Sequence, residues 1–285
     1  MLPESSSSLW TYYPRFPSFW VPVAGSIIFG LATSAHGYLL FLHQAWFFVP
    51  MCIGSSMELI GFIARANAAT DLFNREVFLL QHYTLYFGPS FVAAACYGVF
   101  GLIVSRVTPA PERTLRTLWC PPRHTKHILL GIHIVGAFFI FLGVSFLEKA
   151  MDNDDLVQRA QGRIILGVGL IFQLMCAALF AVIWVRYTVS SRRWTGSSEQ
   201  QALRAREDRL SIAVMVASTL ILFRNVYRLA ECFSGEEDYL RKYEWPLWVF
   251  DGLFVFVAIV VLAIVYPARF LPLQKNDWES KDSIE

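Results

Sequence analysis

Six ionisable side chains fall inside, or at the ends of, long apolar runs: Glu58, Arg65, Arg224, Arg228, Glu231 and Asp251. A charge in such a run is costly, so it faces the interior of a bundle, where it pairs or lines a pathway. Offsets of four and seven put Arg224, Arg228 and Glu231 on one helix face, and an offset of seven does the same for Glu58 and Arg65. Glu58, Arg224 and Asp251 each lie seven residues inside Arg65, Glu231 and Glu244. At 1.5 Å per residue, all three are predicted about 10 Å below the same surface. Two carboxylates and a guanidinium then share one layer, and the six groups together are charge-neutral. The chemistry open to them is ion pairing, because arginine's planar fork holds a carboxylate at two points while staying charged. One reading is a structural clasp across three helices. A second, compatible with the first, makes the clasp the polar floor of an outward-facing cavity that binds a substrate headgroup.

Uncharged polar groups accompany this layer. Gln81 stands near the end of one apolar run and Gln173 in the middle of another, each able to bond the charged layer, a ligand or a neighbouring helix. Gly88-Pro89 interrupts a third run, and a proline there removes a donor, frees a carbonyl and bends the helix. Ser26, Gly30 and Ser34 form a row of small residues suited to close helix approach. His36 and His133 are isolated histidines, read as hydrogen-bonded packers. Cys52, Cys96, Cys120, Cys176 and Cys232 are odd in number and scattered, so they offer neither a disulfide framework nor a metal knuckle.

The elements that must position these residues follow from composition. The 285-residue chain is 55% hydrophobic and only 16% charged, against about 25% charged in a soluble domain. A membrane helix needs roughly 20 apolar residues, and seven stretches qualify: 20–43, 46–64, 77–105, 127–147, 164–185, 210–230 and 245–266. The fold class expected is all-α, a polytopic seven-helix transmembrane bundle over 20–266. Residues 1–19 form a short polar amino-terminal segment without a basic start, so the first run is expected to be a retained span rather than a cleaved signal. Trp20, Trp46, Trp184, Trp245 and Trp248 sit near span ends, where indole rings favour the headgroup layer. Fourteen Lys and Arg flank the spans on one side and eight on the other, which predicts an external N-terminus and a cytosolic C-terminus. Segment 196–209 is read as a cytosolic helical extension in which Glu199, Arg206 and Asp208 can pair. The tail, 267–285, is read as cytosolic and disordered. A net charge of +2 gives no reason to expect nucleic acid as a partner. Membrane lipids and an amphiphilic small molecule are the partners expected, and the sequence says nothing of oligomeric state.

The run Phe223-Arg224-Asn225-Val226-Tyr227-Arg228-Leu229-Ala230-Glu231, followed by Gly235, Tyr239, Glu244 and Val249-Phe250-Asp251, resembles the signature of the fungal lipid-translocating exporter family, the RTA-like seven-span proteins. Glu58-Leu59-Ile60-Gly61-Phe62-Ile63-Ala64-Arg65 is similar to the family's second-span motif. Gln81, Pro89, Phe91, Ala94 and Tyr97 are similar to its third, and Gly169-Leu170 with Gln173 to its fifth. Tyr13-Pro14, His36 and Pro267 also agree, so the resemblance runs over about residues 12–267. The fourth span departs from the pattern. His133 stands where the family has an aspartate, Ile140 where it has a glutamine, and only Gly143 of a glycine pair is kept. The resemblance implies export or flipping of amphiphilic lipids, resistance to toxic amphiphiles such as sphingoid bases and aminosterols, a link to porphyrin transport, a fungal source and the plasma membrane. The departure marks a divergent member, whose substrate need not be the family's best known.

Three function classes remain open at this point. The first is a translocator of amphiphilic lipids or lipid-like metabolites, with Glu58, Arg65, Gln81, Gln173, Arg224, Arg228, Glu231 and Asp251 as candidate substrate-binding residues. Glu58 or Asp251 would suit an amino headgroup, and Arg224 or Arg228 a phosphate or carboxylate. With no GxxxxGK present, ATP hydrolysis by this chain is not expected, and flux would be passive or ion-coupled. The second class is a seven-span receptor coupled to a cytosolic partner. The third is a metal-free intramembrane enzyme such as a cyclase using Glu58 or Asp251 as acid or base. The six histidines include no HExxH and the sequence no GxSxG, so neither metal nor cofactor is expected.

Overall fold

A computed structural model describes residues 18–72, 74–107, 122–153, 155–191, 198–235 and 238–270. With no water in the hydrocarbon layer, the backbone of a spanning segment must satisfy itself, and a helix does so locally. The described residues accordingly form α1 (Trp20–His43), α2 (Val49–Thr70), α3 (Arg75–Val107), α4 (Pro122–Asp152), α5 (Leu156–Ser191) and α6 (Ser198–Phe233). The last span, Leu247–Phe270, opens as a π-helical segment, Leu247–Leu253, and continues as α7, Phe254–Ile264. All seven are long and apolar enough to cross a membrane. The chain is a multi-pass, all-helical membrane protein.

Span positions agree with the hydropathy reading, and the first agrees in both of its limits. Most helices overrun their apolar stretch; α5 starts at Leu156, eight residues ahead of Ile164. Helical hydrogen bonding does not stop at the edge of the hydrocarbon. α1 does stop sharply: Gln44 adopts the left-handed conformation (φ 52°) and its N–H bonds the Leu40 carbonyl, which satisfies an end carbonyl that would otherwise be orphaned. A single 3₁₀ turn, Trp46–Phe48, then turns the chain into α2, where Pro50 occupies the first turn.

α3 is the most enclosed helix of the seven. It packs against α2, α4 and α6, while α4 and α5 pair along their lengths. That pairing is close because a Cβ on Gly143 would lie 2.4 Å from the Leu166 nitrogen, and one on Gly169 would lie 2.7 Å from the Gly136 carbonyl oxygen. α1 meets α2 most closely at Gly25, which lies under the Phe62 ring; Gly30 of the Ser26-Gly30-Ser34 row also faces α2, where a Cβ would lie 3.7 Å from Leu59 Cδ1. The buried stripe of α1 runs through Pro22, Gly25, Phe29, Ala32, His36 and Leu39, and this turns Ser34 outward. Ile140, at a position where the family motif is polar, is fully buried in an apolar cluster with Tyr86, Val144, Leu166 and Leu170. Among the described residues the cysteines are free thiols. Residues 1–17, Cys120, the tail beyond Phe270 and the side chains of Glu199 and Arg206 lie outside the described residues, so the expectations made for them are not addressed by the structure.

Candidate functional site

The charged group is built from α6 and the π-helical segment, with α3 beside them. Arg224 is the largest fully buried side chain among the described residues. Its Nε donates to Asp251 Oδ1 at 2.5 Å, its Nη1 to Asn225 Oδ1 at 3.2 Å and its Nη2 to the Leu85 carbonyl at 2.5 Å. Arg228, one helical turn on, donates from Nε to the same Asp251 Oδ1 at 2.9 Å and from Nη2 to Asp251 Oδ2. Its Nη1 reaches Glu231 Oε2 at 2.9 Å. The Tyr86 ring lies against both guanidinium groups, 4.9 Å from Arg228 Cζ and 5.7 Å from Arg224 Cζ, close enough for a cation–π contribution. Asp251 thus accepts from two arginines at once, and every guanidinium nitrogen of both already has an acceptor.

The Leu85 carbonyl is available because of the sequence four residues later. In an unbroken helix the N–H of residue 89 would bond it, but residue 89 is proline and has no N–H. Arg224 takes the vacant place. The sequence announces a freed carbonyl, and stepping back four positions from Pro89 identifies it as that of Leu85; that Arg224 would take it is visible only in the structure. Gly88 of α3 serves α2. A Cβ there would lie 2.7 Å from Glu58 Oε1 and 3.2 Å from the Glu58 Cδ and Cγ, so the missing side chain is what gives the Glu58 carboxyl its space. Ser90 completes the sequence by accepting a hydrogen bond from Gln173 Nε2 of α5 at 2.8 Å.

Glu58 stands apart from the bonded group. It is 1% exposed, lies within electrostatic range of Asp251, Arg224 and Arg228, and has no hydrogen-bond partner for Oε1. Among the described residues it makes no ion pair. Arg65, expected in one neutral cluster of six, is placed elsewhere: its Nη2 bonds Glu244 Oε1 at 2.9 Å and its Cζ lies 5.1 Å from the Trp248 ring. Two helical turns separate Glu58 from Arg65, about 10 Å of rise, more than the guanidinium spans while Glu244 is adjacent. Between the two levels, Phe62 packs on Phe29 and Trp248, with ring centroids 4.9 and 5.8 Å apart. α2 and the last span therefore meet in three successive steps: Glu58 near Asp251, Phe62 on Trp248, and Arg65 with Glu244.

The remaining polar expectations have mixed outcomes. Gln81 is buried, 3% exposed, in the first turns of α3. Glu231 is partly exposed and also accepts from the Tyr227 hydroxyl at 3.4 Å. His36 donates through Nε2 to the Ile259 carbonyl at 3.0 Å and ties α1 to α7. His133 is buried beside the Ser90 backbone of α3, with its ring edge-on to Tyr97. Among the described residues no three His, Cys, Asp or Glu side chains converge as a metal ion would require.

The family model described as "RTA1 like protein" matches residues 51–274. Protein RTA1 of Saccharomyces cerevisiae is 24% identical over 222 residues, covering 77% of this chain and 65% of the relative. The sphingoid long-chain base transporter RSB1 of the same organism is 23% identical over 293 residues, covering 92% of this chain and 74% of the relative. The probable lipid transporter atnI of Emericella nidulans is 24% identical over 266 residues, covering 89% and 67% respectively. The chain thus spans just under two thirds of the length of Protein RTA1. No solved structure matches it.

Proposed function

The chain belongs to the RTA1-like family, and from that premise we propose that it is a translocator of amphiphilic lipids or lipid-like metabolites that protects its cell from toxic amphiphiles. It acts without covalent chemistry, in the plasma membrane, with its N-terminus outside and its C-terminus in the cytosol. The substrate's tail runs along the apolar helices and its head enters the polar layer of Glu58, Arg224, Arg228 and Asp251. Gln81, Gln173, Glu231 and Arg65 lie along the approach.

The observation that carries this reading is the buried Glu58 carboxyl, its Oε1 without a hydrogen-bond partner, beside an arginine–aspartate group that is already paired. Each arginine already shares its charge with Asp251, so an anionic head would compete with that carboxylate. A cationic head would meet an acceptor that is free. Two relatives named as transporters of a sphingoid base and of lipid support a lipid-like cargo. The test is a flux assay in vesicles holding the purified chain, run with a sphingoid base, a sterol amine and a phosphorylated single-chain lipid. The amines should cross faster than in empty vesicles, and the phosphorylated lipid should not. Equal rates with and without protein for all three would overturn the proposal.

A further inference from the structure

The ion pairs of the buried layer leave one carboxyl over. Asp251 and Glu231 balance Arg224 and Arg228, and Arg65 is taken by Glu244. Glu58 is the remainder, on α2 with Gly88 of α3 against its carboxyl. Each element packed around it presents a defined set of groups. α6 supplies Arg224 and Arg228, both turned to Asp251; the last span supplies Asp251, a like charge; α3 supplies Tyr86, whose ring lies on those arginines. α1 carries no Asp, Glu, Lys or Arg, and its His36 is bonded to Ile259. A carboxylate buried with no partner, next to a second carboxylate, is a costly arrangement, and a bound proton removes that cost.

We propose that Glu58 is a proton-exchange site: its carboxyl holds a proton while the site is empty and yields it when a cationic headgroup docks, so that one monovalent cation crossing is coupled to one proton crossing the other way. This rests on the translocator reading above. The step balances. Neutral Glu58 and an ammonium head arriving from one side give a carboxylate–ammonium pair, and the proton leaves to the water on that side. Release of the head to the other side is matched by uptake of a proton from there. The net reaction exchanges one positive charge for another and leaves the bundle electrically unchanged. The arginine–aspartate group stays intact throughout and fixes the charge against which Glu58 alternates.

The experiment uses the full chain in proteoliposomes with a pH dye inside and a fluorescent single-chain quaternary ammonium amphiphile added outside, a probe whose own charge does not titrate. With the wild-type protein, amphiphile entry should alkalinise the interior. Its binding in detergent should strengthen about tenfold per pH unit while the empty carboxyl carries its proton, as release of one proton requires. Glu58→Gln should melt at or above the wild-type temperature, because no ion pair is lost, and should bind with no pH slope and move no protons. Wild-type amphiphile entry without alkalinisation, or a pH slope that survives in Glu58→Gln, would overturn the exchange and leave the translocator reading standing. A Glu58→Gln protein that fails to fold would also overturn it, since the carboxylate would then be a structural partner. If the wild-type protein neither binds nor moves the probe, both proposals fall together.

Discussion

Asp251→Asn is the perturbation that probes the charged group most directly. The carboxylate accepts three N–H donors from two arginines, and all three residues are at most 5% exposed. An asparagine keeps the shape, removes the charge and turns a donor toward one guanidinium. Glu231 still serves Arg228, and the Leu85 carbonyl and Asn225 still serve Arg224, but neither contact to Arg224 carries charge. Breaking a buried pair from one side costs about 3–5 kcal/mol, which at about 2–4 °C per kcal/mol is a fall in melting temperature of roughly 6–20 °C. The assay is thermal unfolding of the detergent-solubilised protein, followed by tryptophan fluorescence. A companion variant, Arg224→Met with Arg228→Met and Asp251→Leu, removes the charges together with their partner and should recover most of that loss, since the penalty lies in the unpaired charge rather than in the absent bond. An Asp251→Asn protein melting within about 2 °C of wild type, under 1 kcal/mol on the same scale, would refute the view that this group holds the helices together.

Two further substitutions test α3. Gly88→Ala gains about 1 kcal/mol of helix propensity but presses on three atoms of Glu58, an overpacking cost of about 1–3 kcal/mol; it should lower the melting temperature in the wild-type background and raise it when combined with Glu58→Ala, and a rise in both would show that Glu58 does not occupy that space. Arg224→Met strands the Leu85 carbonyl, at about 1–3 kcal/mol, whereas adding Pro89→Ala restores the helical N–H that carbonyl lacks, so the double variant should melt above Arg224→Met alone, and a lower value would refute the link between proline and arginine.

The parts of this arrangement legible in the sequence are those that depend on distance along a helix. Counting inward from the span ends puts Arg224 and Asp251 at one depth, and the fourfold offset places Arg228 on the same face, because a helix converts sequence number into height and angle directly. The same count puts Arg65 level with Glu244, yet the neutral cluster of six leaves Glu244 out, because which groups at one level touch is decided by tertiary packing. The widened backbone turn holding Asp251, Leu247–Leu253, follows Pro246 and includes Gly252, but neither residue specifies a π-helical turn. The Ser26-Gly30-Ser34 row shows a different limit: small residues permit close approach, but the face of α1 that meets α2 carries Gly25 and Gly30 and leaves Ser34 exposed. The neighbours of His133, the Ser90 backbone and the Tyr97 ring, are not legible because both come from another helix.

Gly88, Pro89 and Ser90 turn three consecutive residues of the central helix into contacts with three different neighbours. Gly88 makes room for Glu58 of α2, Pro89 releases the Leu85 carbonyl to Arg224 of α6, and Ser90 receives Gln173 of α5. Successive residues on a helix point about 100° apart, so a single helical turn suffices to face all three. Bending α3 at this point changes the space beside Glu58, the acceptor of Arg224 and the bond to Gln173 in the same movement. The charged layer and the interruption of α3 are therefore one mechanical unit, and this is why a substitution on one face of the turn should be measurable at the others.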